Sequence, residues 1–242
     1  MKKIFALTFF LLTVVTWGQD TIYFDYDWNK VSSFKYTTYY EIAQYDKADT
    51  NRATERIYFK LGQIKTEKSY SDYKDKKVDG KLKEWYETGQ LRRDIDFKSG
   101  KLNGQFLTYW DNGKPKRIDR YENNKLIEGK CFNFDGVATT YYDYVKKPEF
   151  PGGMNELMEH LGKELKYPNK ARKEEIEGRV LVGFIVNKDG NISDIKIIQS
   201  LNKQLDEEAI RVVKKMPKWK PGMQDGEAVR TAFNLPIEYL LN

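Results

Sequence analysis

The sequence predicts an α+β protein with two successive domains: an all-β repeat domain, then a smaller domain in which helices cover an antiparallel sheet. Three observations support this prediction. Residues 20–58 are rich in Tyr, Thr and Phe and show no helical period. From residue 59 a glycine-centred pattern recurs, which is typical of repeated hairpins. After residue 150 the apolar spacing changes to that of helices alternating with strands.

The composition limits the functional classes that the chain can belong to. Charged residues make up 32% and aromatic residues 14%, as in a folded chain. The formal net charge is +6, but Lys and Arg alternate with Asp and Glu, so we expect a mixed solvated surface and no nucleic-acid partner. Cys131 and His160 are the only Cys and His, and neither forms a recognisable nucleophilic or metal-binding motif. We therefore expect no enzymatic activity, no catalytic residues, no cofactor and no metal.

Residues 1–18 have the pattern of a secretory signal peptide. Lys2 and Lys3 precede an almost continuous apolar run over residues 4–15, and polar residues begin at Gln19. The run is shorter than the roughly 20 apolar residues that a membrane span needs. We therefore favour cleavage and export to the periplasm. The alternative is a retained inner-membrane anchor through residues 4–17, with the rest of the chain facing the periplasm.

Residues 19–145 are predicted to form the repeat domain, most clearly over residues 59–145. Each repeat has a glycine, an apolar or small residue two positions later and an aromatic residue eight positions later. These glycines are Gly62, Gly89, Gly113 and Gly136. Each is placed where a hairpin turn requires positive φ. The pattern resembles the MORN-like repeats of antitoxin-type bacterial proteins, and we favour a rigid spacer or platform over a dedicated ligand-binding face.

The C-terminal domain is predicted over residues 151–242, after a linker at residues 146–150. Pro148 and Pro151 interrupt regular structure around this linker. The pattern that follows is helix, helix, strand, strand, helix, strand. Asn202 is placed to cap the third helix, and the closing strand is predicted over residues 229–240. An antiparallel sheet covered by helices on one face is the economical arrangement of these elements.

Several linked motifs of this domain resemble the C-terminal domain of TonB, the energy transducer of Gram-negative bacteria. The motifs are Phe150-Pro151-Gly152-Gly153, Tyr167-Pro168, Glu177-Gly178, Asp189-Gly190, Leu205-Asp206, Ala209 and Trp219-Lys220-Pro221-Gly222. The resemblance covers residues 150–241 and rests mostly on turn, cap and core positions. It therefore indicates a fold and gives no sign of catalysis.

The resemblance implies a periplasmic protein-binding module linked to energy-coupled transmembrane transport. Such a module would engage the TonB box, a short extended segment of outer-membrane TonB-dependent transporters, by adding it as a strand to its sheet. The expected binding edge is the closing strand, with the Tyr-Pro segment nearby. The predicted partner-binding residues are Tyr167, Pro168, Val229, Thr231, Phe233, Leu235 and Ile237. Inner-membrane motor proteins and a second copy of the chain are further candidate partners.

Two departures from the family pattern leave alternatives open. Glu164-Leu165-Lys166 stands where well-known members carry a Gln-Pro stretch, and a long Pro-rich segment is not evident. One alternative is a transducer proper, which requires residues 4–17 as an anchor. Another is a structural envelope or antitoxin-like repeat protein whose TonB-like domain only mediates dimerisation.

Overall fold

The computed structural model describes residues 21–241, and the predicted signal peptide and anchor lie outside these described residues. The chain divides into two compact units between Tyr141 and Tyr142. None of the helices within residues 21–241 combines the length and the apolar character that a membrane crossing requires.

The described part of the first unit is an open antiparallel sheet of eleven strands. The strands are β1 (Thr21–Phe24), β2 (Lys30–Val31), β3 (Tyr39–Tyr45), β4 (Ala53–Phe59), β5 (Ile64–Asp72), β6 (Lys77–Trp85), β7 (Leu91–Lys98), β8 (Lys101–Tyr109), β9 (Pro115–Glu122), β10 (Lys125–Phe132) and β11 (Ala138–Thr139). From β4 to β11 each strand pairs with its neighbours in sequence. β3 pairs with β4 on one side and with β1 on the other, and β1 pairs in turn with β2. A single 3-10 turn, Phe34–Tyr36, connects β2 to β3.

The glycine period corresponds to four hairpin turns with the same backbone hydrogen bonds. In one of them the Trp110 N–H donates to the Lys114 carbonyl and the Gly113 N–H donates to the Trp110 carbonyl, both at 2.9 Å. Gly113 has φ 80°, a left-handed conformation that glycine adopts without steric cost. Equivalent bonds close the turns at Gly62, Gly89 and Gly136. The hairpins predicted from the glycine spacing are therefore present.

The buried side chains of this sheet include an ion pair as well as apolar residues. The Arg117 and Asp119 side chains are both fully buried, with Nη1 and Oδ2 2.8 Å apart. The Tyr141 hydroxyl donates to the same Asp119 oxygen at 3.3 Å and accepts from Arg117 at 3.1 Å. Burial, followed by the charge of Asp119, raises the pKa of Tyr141 to about 12. Cys131 is also buried, consistent with the role of a small apolar residue.

The second unit contains three α-helices and six strands within the described residues. They are β12 (Val145–Lys146), α1 (Met154–Glu164), α2 (Asn169–Lys173), β13 (Gly178–Val186), β14 (Ile192–Gln199), α3 (Lys203–Lys214), β15 (Gly222–Gln224), β16 (Glu227–Val229) and β17 (Thr231–Tyr239). One sheet has the order β14-β13-β17 and a smaller one has the order β12-β15-β16. The predicted order of helices and long strands is confirmed.

The core of this unit lies between the larger sheet and the helices. It is formed by one apolar face of α1, one of α3 and alternate residues of β13 and β17. The largest contributors are Leu157, Leu161, Val180, Val182, Phe184, Leu205, Val212, Val213, Leu235, Ile237 and Tyr239. The side chain of Asn202 accepts from the Gln204 N–H at 2.9 Å, so the predicted cap of α3 is present.

Trp219 joins the hairpin turn between β13 and β14 to this core. The Trp219 N–H donates to the Gly190 carbonyl at 2.9 Å, and a Cβ at Gly190 would overlap the Trp219 carbonyl oxygen. The indole ring is 4% exposed. Its centroid lies 5.7 Å from that of Phe150, 5.4 Å from that of Phe184 and 4.9 Å from that of Phe233.

Residues 146–150, predicted as a linker, belong to the second unit. Val145 and Lys146 form β12, which pairs with β15. Glu149 and Lys220 exchange two backbone hydrogen bonds of 3.0 and 2.8 Å, and Phe150 is buried in the core. The prolines do interrupt helix and strand periods, but an extended segment between them can still form isolated pairs and bury one aromatic ring.

The predicted closing strand over residues 229–240 is divided in the structure. Val229 belongs to β16 and pairs with Gly222 in the smaller sheet, whereas the longer strand β17 begins at Thr231. Asp225 and Gly226 both have positive φ, of 50° and 78°, which is the geometry of a tight hairpin turn. This turn places residues 227–229 in a separate hairpin, and Arg230 connects the two strands.

Candidate strand-binding edge

The larger sheet of the second unit has two edge strands. Because β13 is central, β14 and β17 each have one side with no paired strand among residues 21–241. An edge strand presents backbone N–H and C=O groups that can pair with another chain. The regularity of each edge therefore determines which one can accept an extended segment.

The β14 edge is irregular. Its pairing with β13 shifts register between Leu181 and Val182 and again between Gly183 and Ile185. Asp194 has φ 53°, a left-handed conformation within the strand. Bulges of this kind bend a strand and interrupt its pairing groups, so they protect an edge against further pairing.

The β17 edge is regular. Nine consecutive residue pairs join β17 to β13 with no register shift, from Gly178 opposite Tyr239 to Val186 opposite Thr231. Such a strand presents evenly spaced backbone groups on its other side. Of the two edges, β17 is therefore the better template for an added strand.

The turn between β13 and β14 shows which backbone groups of β17 face away from β13. The Asn187 N–H donates to the Asn191 carbonyl at 2.9 Å, so Asn187 faces β14. Because backbone groups alternate along a strand, Val186 faces β17, and its partner Thr231 faces β13. By the same alternation, Phe233, Leu235, Ile237 and Tyr239 also direct their backbone groups to β13.

The outward-facing residues of β17 are therefore Ala232, Asn234, Pro236 and Glu238. Pro236 supports this assignment, because a proline in a regular strand is tolerated where its nitrogen faces away from the ladder. The side chains of these four residues are all exposed. The open side thus offers N–H donors at Ala232, Asn234 and Glu238 and carbonyl acceptors at all four positions.

The residues of β17 that the sequence predicts as partner-binding are Thr231, Phe233, Leu235 and Ile237. Their backbone groups face β13 and not the open side of the strand. Leu235 and Ile237 are buried in the core, and Phe233 packs against Phe184 with ring centroids 5.6 Å apart. The Thr231 hydroxyl donates to the Val229 carbonyl at 3.3 Å. These side chains hold β17 in place, while the neighbouring residues present the open backbone groups. Pro236 was the sequence signal for this alternation, since it can occupy only an outward position in a regular edge strand.

Tyr167 and Pro168 lie near the C-terminal end of β17. The Tyr167 ring packs edge-on against Tyr239, with centroids 5.7 Å apart, and its hydroxyl donates to the Ile176 carbonyl. Pro168 is the N-cap residue of α2. The structure therefore brings the Tyr-Pro segment to the same strand as four of the other predicted residues, and it places Val229 in the smaller sheet.

A charged network fixes the segment before Tyr167. Glu208 accepts from the Lys166 N–H at 2.7 Å and from Arg211 Nε at 2.7 Å. Burial opposes ionisation of Glu208, but the hydrogen bonds from Arg211 and Lys166 outweigh it and hold the pKa of this carboxyl below its usual value. Burial also raises the pKa of Tyr239, whose hydroxyl donates to the Leu205 carbonyl at 3.0 Å.

The chemistry available at this edge is noncovalent backbone pairing. Between residues 21 and 241, no three His, Cys, Asp or Glu side chains are grouped closely enough to hold a metal ion. His160 packs against Phe150 with ring centroids 5.4 Å apart.

Comparison with known proteins relates the second unit to one family. Residues 163–241 match the family model described as Gram-negative bacterial TonB protein C-terminal. A solution structure of Helicobacter pylori TonB-CTD, residues 179–285, is 30% identical over 38% of this chain and 87% of that chain, with a TM-score of 0.29. A second one, of residues 194–285, is 27% identical over 35% and 89%, also with a TM-score of 0.29. No curated protein matches the chain.

Proposed function

We propose that the second unit is a TonB-like protein-binding module that accepts an extended segment of a partner as an additional strand on β17. The observation that carries this proposal is the contrast between the two edges. The β17 edge has nine regular pairs behind it and open donors at Ala232 and Asn234, whereas β14 is interrupted by two register shifts. Strand addition derives its affinity mainly from main-chain hydrogen bonds, which this edge supplies.

The partner that we propose is the TonB box of an outer-membrane TonB-dependent transporter. The match of residues 163–241 to the TonB C-terminal family supports this choice, because it covers β13, β14 and β17 together with α2 and α3. The module would then act in the periplasm and take part in energy-coupled transport. Inner-membrane motor proteins would be needed as further partners for transduction.

The first unit would serve as a platform for this module. Its sheet uses tight turns, and the two outermost of its described strands, β2 and β11, are only two residues long. Short outer strands offer few open backbone groups. This favours a structural role for the repeat unit, with partner capture assigned to β17.

Proline substitutions on β17 test the proposal. Asn234→Pro removes an outward N–H, so we expect the binding of a synthetic TonB-box peptide to weaken by about tenfold or more while the fold is retained. Asn234→Ala removes the side chain and keeps the N–H, so binding should stay near that of the unmodified chain. Phe233→Pro removes an N–H that faces β13 and should unfold the unit.

Isothermal titration of each variant, together with circular dichroism, distinguishes these outcomes. Equal peptide binding by the folded Asn234→Pro variant and the unmodified chain would exclude strand addition at this edge. If neither the unmodified chain nor any variant binds the peptide, and the unmodified chain elutes as a dimer from size-exclusion chromatography, the dimerisation function would replace the proposed one.

A further inference from the structure

We infer that Pro236 limits the length of the strand that β17 accepts. This inference rests on the proposed function, and it adds which part of the edge is used. A guest strand would pair with the stretch from Thr231 to Leu235 and would not continue past Pro236.

The position of Pro236 in the ladder explains this limit. It lies opposite Leu181 in the unbroken pairing with β13, so its nitrogen falls on the open side of β17. There the pyrrolidine ring occupies the space where an N–H would otherwise meet a guest carbonyl. A guest strand that passed Pro236 would leave that carbonyl without a donor and would be pushed away from the neighbouring positions.

The chemistry on the two sides of Pro236 also differs. Before it, the residues whose backbone groups face outward are Ala232 and Asn234, and their side chains are small or uncharged. After it comes Glu238, whose carboxylate lies 3.9 Å from Arg179. Beyond the strand, the Leu241 N–H donates to the side chain of Glu177. The stretch after Pro236 is therefore short and charged.

The partner that fits this edge is a short extended segment rather than a long β-strand. Its backbone carbonyls would accept from the Ala232 and Asn234 N–H groups, and its donors would meet the carbonyls of the same residues. These two outward residues lie on either side of Phe233, which anchors the stretch to Phe184 and Trp219 in the core. The segment that pairs is thus held rigid by aromatic packing behind it.

Residue-resolved amide hydrogen exchange by NMR tests the inference on the full chain. The probes are two synthetic peptides: one contains a TonB box with its flanking residues, and the other contains the box alone. We expect either peptide to protect the Ala232 and Asn234 amides and to leave the Glu238 amide exchanging as before. Both peptides should bind the unmodified chain with affinities within about threefold of each other, because the flanking residues find no continuous ladder.

Pro236→Ala restores the missing donor. In this variant the longer peptide should also protect Glu238 and should bind about tenfold more tightly than the box alone. Glu238→Ala is the matched control, because it alters an exposed side chain and leaves both Pro236 and the residue 238 N–H in place. It should reproduce the protection pattern of the unmodified chain.

The outcomes separate this inference from the function on which it rests. Protection of Glu238 in the unmodified chain, together with Ala232 and Asn234, would overturn the role of Pro236 and leave strand addition intact. It would also be overturned if the ratio of the affinities for the longer and the shorter peptide were the same for Pro236→Ala as for the unmodified chain. If neither peptide protects any amide of β17, both the proposed function and this inference are wrong.

Discussion

Replacing Trp219 with alanine should be among the most damaging single changes in the second unit. The ring is 4% exposed and contacts Phe150, Phe184 and Phe233. Truncation of a buried Phe or Trp to Ala typically costs about 3–5 kcal/mol. Each favourable aromatic pair adds about 0.5–1.5 kcal/mol beyond area burial. A measured truncation cost already includes these pair contacts, so with three of them lost we expect the free energy of unfolding to fall by about 4–5 kcal/mol, the upper part of the range for truncation.

Trp219→Phe separates the ring from its polar atom. The indole Nε1 is buried and has no hydrogen-bond partner among the described residues. A phenyl ring leaves a small cavity but removes this unsatisfied donor, and the two effects act in opposite directions. We therefore expect Trp219→Phe to cost less than about 2 kcal/mol.

Urea denaturation followed by far-UV circular dichroism is the assay. The described α-helices lie in the second unit, so the helical signal reports mainly on that unit. The reasoning fails if Trp219→Ala loses less than about 1 kcal/mol, which is the effect of an ordinary substitution outside a core. It also fails if the Phe and Ala variants are equally destabilised, because the ring contacts would then contribute nothing.

Two further predictions follow from the described contacts. Residues 142–242 should fold as an isolated fragment with a dispersed amide NMR spectrum, whereas residues 151–242 should be less stable by about 3 kcal/mol or fail to fold, since they lack β12 and the buried Phe150. Equal urea midpoints for the two fragments would show that the preceding segment is dispensable. The raised pKa of Tyr141 means that its hydroxyl keeps its proton in the folded state at a pH where the unfolded chain loses it, so stability is full below pH 10 and falls as the pH rises toward about 12. Denaturation of the first unit between these pH values should show that fall, and Tyr141→Phe should reduce its slope; an unchanged slope would mean that other groups account for it.

Elements with strong local signals could be predicted from the sequence. The four turn glycines and the cap residue Asn202 each act through bonds to nearby residues, so their spacing is sufficient to identify them. Strand β13, which was predicted over residues 178–186, has those bounds in the structure because its alternation is buried and continuous. The relation of the first unit to MORN-like repeats stays a prediction, since the hairpin sheet shows the architecture and not the ancestry.

Features that depend on distant pairing could not be predicted in the same way. Strands β12, β15 and β16 contain two or three residues each, too few to show a period. The direction of the β17 backbone groups depends on register, and a change of one residue exchanges the two sets completely. Arg117 and Asp119 look like solvated charges in the sequence, because charged residues are rarely fully buried. Their ion pair and their hydrogen bonds with Tyr141, which the sequence does not show, accompany their burial.

The meander connectivity of the first unit has a consequence for how it folds and opens. From β4 to β11 each strand pairs only with its sequence neighbours, so each of these steps of assembly closes a short loop at small entropic cost. Such a sheet can nucleate at any hairpin and extend in both directions, as in other linear arrays. The two-residue strands β2 and β11 at its ends have the fewest hydrogen bonds and should open first. Local stability should therefore rise from both ends toward the central hairpins. A destabilising substitution in one hairpin should lower the stability mainly of the adjacent hairpins.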